Sequence, residues 1–236
     1  FTLDSVAVNP QKTLKDLQAY DLAIITKPTK SFSDNQIQVL DQFVMNGGKS
    51  LWMLDQVQAD MDSLYNSTGE MLVYPKDQSL GEMLFKYGVR VNPDLVKDEV
   101  GSPIKLAVGQ QGSETVYETF NWKFAPYVVG TSNHPIVKNI DVVKFDFTNS
   151  IDTLKNNIKK TVLLTSSPYA VKVGAPSIVS LAKTVQEKID PKNTKLQSFP
   201  LAVLLEGNFT SVFKNRIVPF KTDNYLTEGK PTKMIV

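Results

Sequence analysis

Two short apolar runs, "DLAIIT" (21 to 26) and "SLWML" (50 to 54), bracket one sharply bounded helix, and that arrangement constrains the fold more than anything else in the chain. Runs with so few polar positions read as strands buried on both faces, the mark of a parallel sheet covered by helices. Between them, Ser33 and Gln36 form an S-x-x-Q capping box, and Asp34 adds negative charge at the positive end of the helix dipole. Ile37, Leu40 and Val44 fall on one face with Phe43 beside them, and Gly47-Gly48 supply a left-handed stop. Upstream, "SVAVN" (5 to 9) alternates as a strand, and "TLKDLQAY" (13 to 20) spaces Leu14, Leu17 and Tyr20 as a short helical face. Residues 5 to 54 therefore read β-α-β-α-β, which predicts right-handed crossovers and parallel strands.

Further on, a second capped helix is expected from Ser79, with Glu82 three residues later, Leu80, Leu84 and Tyr87 on one face, and Gly88 as its stop. The texture changes near residue 101, where "PIKLAVG" and "ETVYETFNWKF" around "QQGS" predict a β-hairpin. "VVKFDF" (142 to 147), "KTVLLTSS" (160 to 167) and "FPLAVLLEG" (199 to 207) predict further strands. No fixed-period repeat or low-complexity linker divides the halves. The expectation is one α/β domain over 1–236, with a β-α-β core at 1–100 and a β-rich extension at 101–236 that returns to the sheet. The chain opens at Phe1 and stops at "TKMIV", which reads as a strand cut short, so a piece trimmed at both ends is expected.

Charge and composition narrow the chemistry. The 26 basic and 24 acidic residues give a net charge of +2 with no clustered basic patch, which argues against a nucleic-acid face. The chain has no cysteine, so thiol nucleophiles, disulfides and thiolate metal sites are excluded, and its one histidine, His134, makes a catalytic zinc centre a poor expectation. No apolar run approaches the roughly 20 residues that span a bilayer. Neither G-x-G-x-x-G nor a Walker loop occurs, and "GGKS" (47 to 50) is a helix stop running into a strand. "DQVQADMD" lacks the glycine and terminal glutamate of a calcium loop. Neither a metal nor a cofactor is expected.

Open α/β sheets place their sites at the carboxyl ends of the strands, and Asp55 stands at the end of "SLWML". It reads either as a catalytic acid or metal ligand, or as a cap accepting backbone N–H bonds from the next loop. A nucleophile elbow needs small residues around it, and Met53-Leu54-Asp55-Gln56-Val57 offers none. The expected crevice is bounded by Thr26, Lys27 and Lys30 after the first strand and by Asp55, Gln56, Asp60 and Asp62 after the second. Trp122, flanked by Phe120, Phe124 and Tyr127, and His134, fixed in an extended stretch by Pro135, are weaker candidates for its rim.

Several longer phrases carry a resemblance: "DLAIITKPTKSFSDNQIQVLDQFVMNGGKSLWMLDQVQADMDSL", "LGEMLFKYGVRVNPDLVKD", "HPIVKNID", "KKTVLLTSSPYAV" and "PLAVLLEGNFTSVFKNR". In that order, over most of residues 10 to 218, they resemble the GldG family, gliding-motility-associated ABC transporter auxiliary proteins of Bacteroidetes often labelled as substrate-binding components. The resemblance implies a membrane-anchored protein whose bulk lies on the periplasmic face of the inner membrane. Its anchors would lie outside this chain, and an ABC permease and an ATPase would be its partners. It also implies a mostly parallel, flavodoxin-like sheet similar to class I glutamine amidotransferases. Those enzymes use a cysteine nucleophile with a His-Glu pair, so without cysteine no catalytic residue carries over. The function expected is ligand or partner-protein binding without catalysis. The alternatives are a hydrolase of glycans or small esters using Asp55 and His134, and a structural spacer.

Overall fold

A computed structural model describes residues 9–130, 133–190 and 195–236, so all but the last residue of the strand expected at 5 to 9 lies outside the described residues. Helix α1 (Pro10–Leu17) leads into strand β1 (Leu22–Thr26), helix α2 (Asp34–Met45) and strand β2 (Lys49–Met53). The capping box forms as read: the Ser33 hydroxyl accepts from the Gln36 N–H at 3.4 Å, and the Gln36 carboxamide accepts from the Ser33 N–H at 2.8 Å. Gly47, at φ 97°, supplies the left-handed turn after the helix.

The chain continues through β3 (Val57–Gln58), a 3₁₀ turn (Asp62–Leu64), β4 (Glu70–Pro75), α3 (Gly81–Tyr87), β5 (Val89–Val91) and β6 (Asp94–Asp98). The predicted hairpin is β7 (Gly101–Gln111) with β8 (Glu114–Val128), whose outer half projects into solvent. Next come β9 (Val143–Lys144), β10 (Ile151–Thr153), β11 (Lys159–Thr165), β12 (Ala170–Gly174), β13 (Ser177–Ser180) and α4 (Leu181–Gln186). Strands β14 (Pro200–Thr210) and β15 (Glu228–Ile235) complete the chain. The second helix starts later than expected. Ser79 sits at φ 60° with its N–H on the Asp77 carboxylate at 2.7 Å, and Leu80 precedes the helix with no side-chain cap.

The expected mostly parallel, flavodoxin-like sheet is not what the chain forms, and the likeness to the glutamine amidotransferase fold goes with it. The described residues are 42% strand and 16% helix, arranged as several small antiparallel and mixed sheets. The β1-α2-β2 unit is parallel as read, from Leu22 opposite Lys49 to Thr26 opposite Met53. Strand β15 adds parallel to β2, but β14 and β11 then extend the five-stranded sheet antiparallel, in the order β1-β2-β15-β14-β11. A flavodoxin-like sheet needs a long crossover helix for each parallel strand, on both faces. After α2 the described residues supply only α3 and α4, of 7 and 6 residues, and fill the space with hairpins.

That sheet has two unlike faces. Ile25, Trp52, Met234 and Val203 point to one side and pack with α1, α2 and α3 in the largest apolar cluster. Register sets Ile24, Leu51, Ile235 and Leu204 side by side on the other. There Leu204 is buried in a second cluster with Leu164 and Val137, whereas Ile24 is 57% exposed. So "DLAIIT" is an edge strand with one open face, because nothing among the described residues covers β1 on that side.

Helix α2, in contrast, is buried along its whole circumference from residue 37 to 45, including Gln38, Asp41 and Gln42. The sheet lies on one side of it and the segment between β14 and β15 crosses the other. No helix among the described residues is long and apolar enough to cross a membrane, which says nothing of a β-barrel.

Candidate functional site

Three loops meet at the carboxyl ends of β1 and β2, and one buried amide joins them. Gln78, 1% exposed, donates to the Pro28 carbonyl at 2.9 Å, accepts from the Gln56 side chain at 3.3 Å, and offers its own carbonyl to the Phe32 N–H at 3.1 Å. Asn149 fixes the same loop from the other side. Its Oδ1 accepts the Gln56 N–H at 2.7 Å while its Nδ2 donates to the Asp94 carbonyl at 2.5 Å. Lys27 takes φ 40°, a left-handed conformation rare for a residue with a side chain, and its N–H donates to the Met53 carbonyl at 2.8 Å. Held this way, Lys27 Nζ stands 3.6 Å from Asp55 Oδ2, with Asp55 the more sheltered partner.

This pair borders a cleft of about 550 Å³. Its floor is the open face of the mixed sheet, with Leu51, Met53 and Ile235, and its wall is the chain from Ile136 to Asn149, with Ile140, Val143 and Phe145. The wall hangs from β8 through Tyr127 opposite Lys144 and Val128 opposite Val143. A second ion pair, Lys144–Asp146 at 2.9 Å, sits on it. Such exposed pairs contribute under about 1 kcal/mol to stability, so their bearing is on what meets them, not on holding the fold.

The expected site residues divide. Lys27 and Asp55 line the cleft, Thr26 ends β1 beside it, and Gln56 braces its loop. Lys30 stays exposed in the loop before α2. Asp60 and Asp62 lie past β3, where the Asp60 carboxylate accepts from the Ser63 N–H at 2.8 Å and hydroxyl at 3.0 Å, capping the 3₁₀ turn. Trp122 is 1% exposed and packs with Phe124 and Phe147 at centroid distances of 5.7 and 6.0 Å, so it presents no stacking face. His134 opens the turn leading into the wall; its Nδ1 accepts from the Ile136 N–H at 3.3 Å. The cleft lining takes in Asp55 but not His134. No group of three or more His, Asp or Glu among the described residues is placed to hold a metal ion.

Sequence reasoning did not single out Gln78, Asn149 or the wall. "HPIVKNIDVVKFDF" carries the signal, since Ile136, Ile140 and Val142 remain exposed at 41%, 44% and 47%. A second polar centre was also missed. Asp41 is fully buried, and its carboxylate accepts from the Tyr87 and Ser211 hydroxyls, the Val212 N–H and the Gln42 amide. Burial pushes Asp41 above the ordinary value of 3.8, with these four donors holding it back, and burial beside Asp41 drives Tyr87 well above 10.0. Perturbed groups of this kind can mark active sites, but this cluster is closed to solvent and ties α2 to the segment after β14.

No curated protein matches the chain. Among solved structures, one described as "mmIFT52 N-terminal domain" aligns with 16% identity and a TM-score of 0.46, covering 94% of this chain and 67% of that one. That likeness is too low to carry fold or function across. The family model described as "ABC-type uncharacterized transport system" matches residues 1–236, and the chain belongs to that family of ABC transport auxiliary proteins.

Proposed function

We propose that this chain is a non-catalytic, extracytoplasmic domain of its ABC-type transport complex, and that it works by binding at the cleft beside Lys27 and Asp55. The observation that carries the reading is an open, apolar-walled cleft at the strand ends with a charged pair at its mouth. Binding sites commonly combine an apolar lining with a few placed polar groups. Asp55 is engaged by Lys27, and His134 lies outside the cleft lining, which favours binding over hydrolysis by that pair. The resemblance to gliding-motility auxiliary proteins extends the reading to motility or envelope transport, with a permease and an ATPase as partners. The test is purification of the full-length protein from native membranes in mild detergent. Both partners should be recovered with it, and failure to recover either overturns the reading.

A further inference from the structure

The ligand class follows from the make-up of the cleft, and this inference rests on the binding reading above. At about 550 Å³ the cleft falls within the roughly 300–1,000 Å³ of small-molecule sites. Leu51 and Ile235 form its floor and Ile140 its wall, and the apolar surface runs on outward through Ile24 and Met53, 57% and 44% exposed. A continuous apolar surface that leaves a cleft and reaches solvent suits a chain longer than the cleft is deep.

The polar groups restrict the other end of that ligand. Lys27–Asp55 and Lys144–Asp146 each present one cation and one anion at the cleft. A head of single charge that pairs with one member of a pair meets the other as a like charge at short range. A head bearing both charges can exchange partners with either pair and leave no charge unmatched. We infer that the cleft takes a single-chain amphiphile, its hydrocarbon tail on Leu51, Ile235 and Ile140 and its zwitterionic head at one of the two ion pairs. The left-handed backbone at Lys27 supports the same place, since strained residues held by their surroundings gather at ligand sites.

Titration calorimetry with alkylphosphocholines of eight, ten and twelve carbons, each below its micelle threshold, tests this. Burial of the tail predicts roughly tenfold tighter binding for each two added methylenes. Ile140→Asp should weaken the longest chain by at least about tenfold, and Lys27→Glu should weaken the phosphocholine while leaving an alkyl maltoside of equal length unchanged. Thermal melts of both variants run alongside, and the chain-length series on the unaltered protein stands whatever they show. Co-sedimentation with phosphatidylcholine vesicles assigns the amphiphile to a bilayer, and monomer binding without it assigns a free molecule; both support the inference. No binding in either form, binding independent of chain length, or equal affinity for phosphocholine and maltoside overturns it. Recovery of permease and ATPase alongside such a failure sinks the ligand class and leaves the binding role standing.

Discussion

Gln38 meets Phe220 through two hydrogen bonds, its Nε2 donating to the Phe220 carbonyl at 2.7 Å and its Oε1 accepting the Phe220 N–H at 2.9 Å. One turn along α2, Gln42 repeats the pattern with Leu226, at 2.9 and 2.8 Å. A carboxamide offers donor and acceptor in the geometry of a peptide, so each glutamine pairs with the backbone as a neighbouring strand would. This explains why α2 carries polar residues on a buried face: the segment between β14 and β15 is irregular and needs partners for its peptides.

Gln38→Leu therefore leaves two buried backbone groups unpaired. The expected loss is roughly 2 kcal/mol, or a fall in melting temperature of about 4–8 °C for a chain of this size. Hydrogen exchange adds the discriminating measurement, since the Phe220 amide should lose protection while the amides of β14 keep theirs. Unchanged exchange at Phe220 would sink the pairing argument.

Asp41 sets a pH dependence whose sign can be worked out. Burial raises its carboxyl above the ordinary value of 3.8, so the folded state holds the proton more tightly than the unfolded chain does. The stabilisation this gives is fully present below 3.8 and is lost as pH rises through the raised folded value. Asp41→Asn cannot titrate. Measured by urea midpoints across a pH series, the native protein should lose stability relative to the variant over that interval, with the difference level on either side. A difference that does not change with pH would place the titration elsewhere.

The two glycines after α2 act for different reasons. Gly47 has room for a side chain, with Lys230 Cβ 3.6 Å from an added Cβ, but its φ of 97° disfavours one. Gly48 has no such backbone demand, yet an added Cβ would lie 2.4 Å from the Phe43 ring, which is 2% exposed at the centre of the main core. Alanine at either position should cost on the order of 1–3 kcal/mol. Only Gly48→Ala should be partly rescued by Phe43→Leu, which removes the ring it meets. Equal rescue of both in denaturant unfolding would refute the distinction.

The parts of the fold legible in the sequence are those with local causes. Ser33 and Gln36 announce α2 because the capping box closes within four residues, and Leu22–Thr26 and Lys49–Met53 announce a parallel pair because the helix between them leaves few other routes. Which face a strand buries is not local. Ile24 reads as a core residue and is exposed, since its cover depends on elements distant in sequence. The same holds at the site. Lys27, Asp55 and Gln56 follow from the strand-end rule, whereas Asn149 and Ile140 reach the cleft only because β9 pairs with β8. Asp60 is near Asp55 in sequence but is drawn off to cap the 3₁₀ turn through Ser63.

Lys123 is the most deeply buried charged member of any ion pair among the described residues. Its side chain is 4% exposed, and its ammonium donates to the Thr184 carbonyl at 3.2 Å and to the Glu187 carbonyl, closing the C-terminal end of α4 against β8. Glu99, 31% exposed and 3.7 Å away, completes the pair, and the same carboxylate accepts the Ile189 N–H at 2.9 Å. Removing the buried cation strands two carbonyls and a carboxylate, so Lys123→Met should cost about 3 kcal/mol. Glu99→Gln keeps an acceptor for Ile189 and leaves Lys123 its two carbonyls and the neighbouring Glu187 carboxylate, so it should cost less, on the order of 1 kcal/mol. The double variant should lose less than the sum, because the glutamine no longer leaves an unpaired negative charge beside the missing ammonium. Equal losses for the two single variants, measured by urea unfolding, would show that α4 is held by its apolar contacts and not by Lys123.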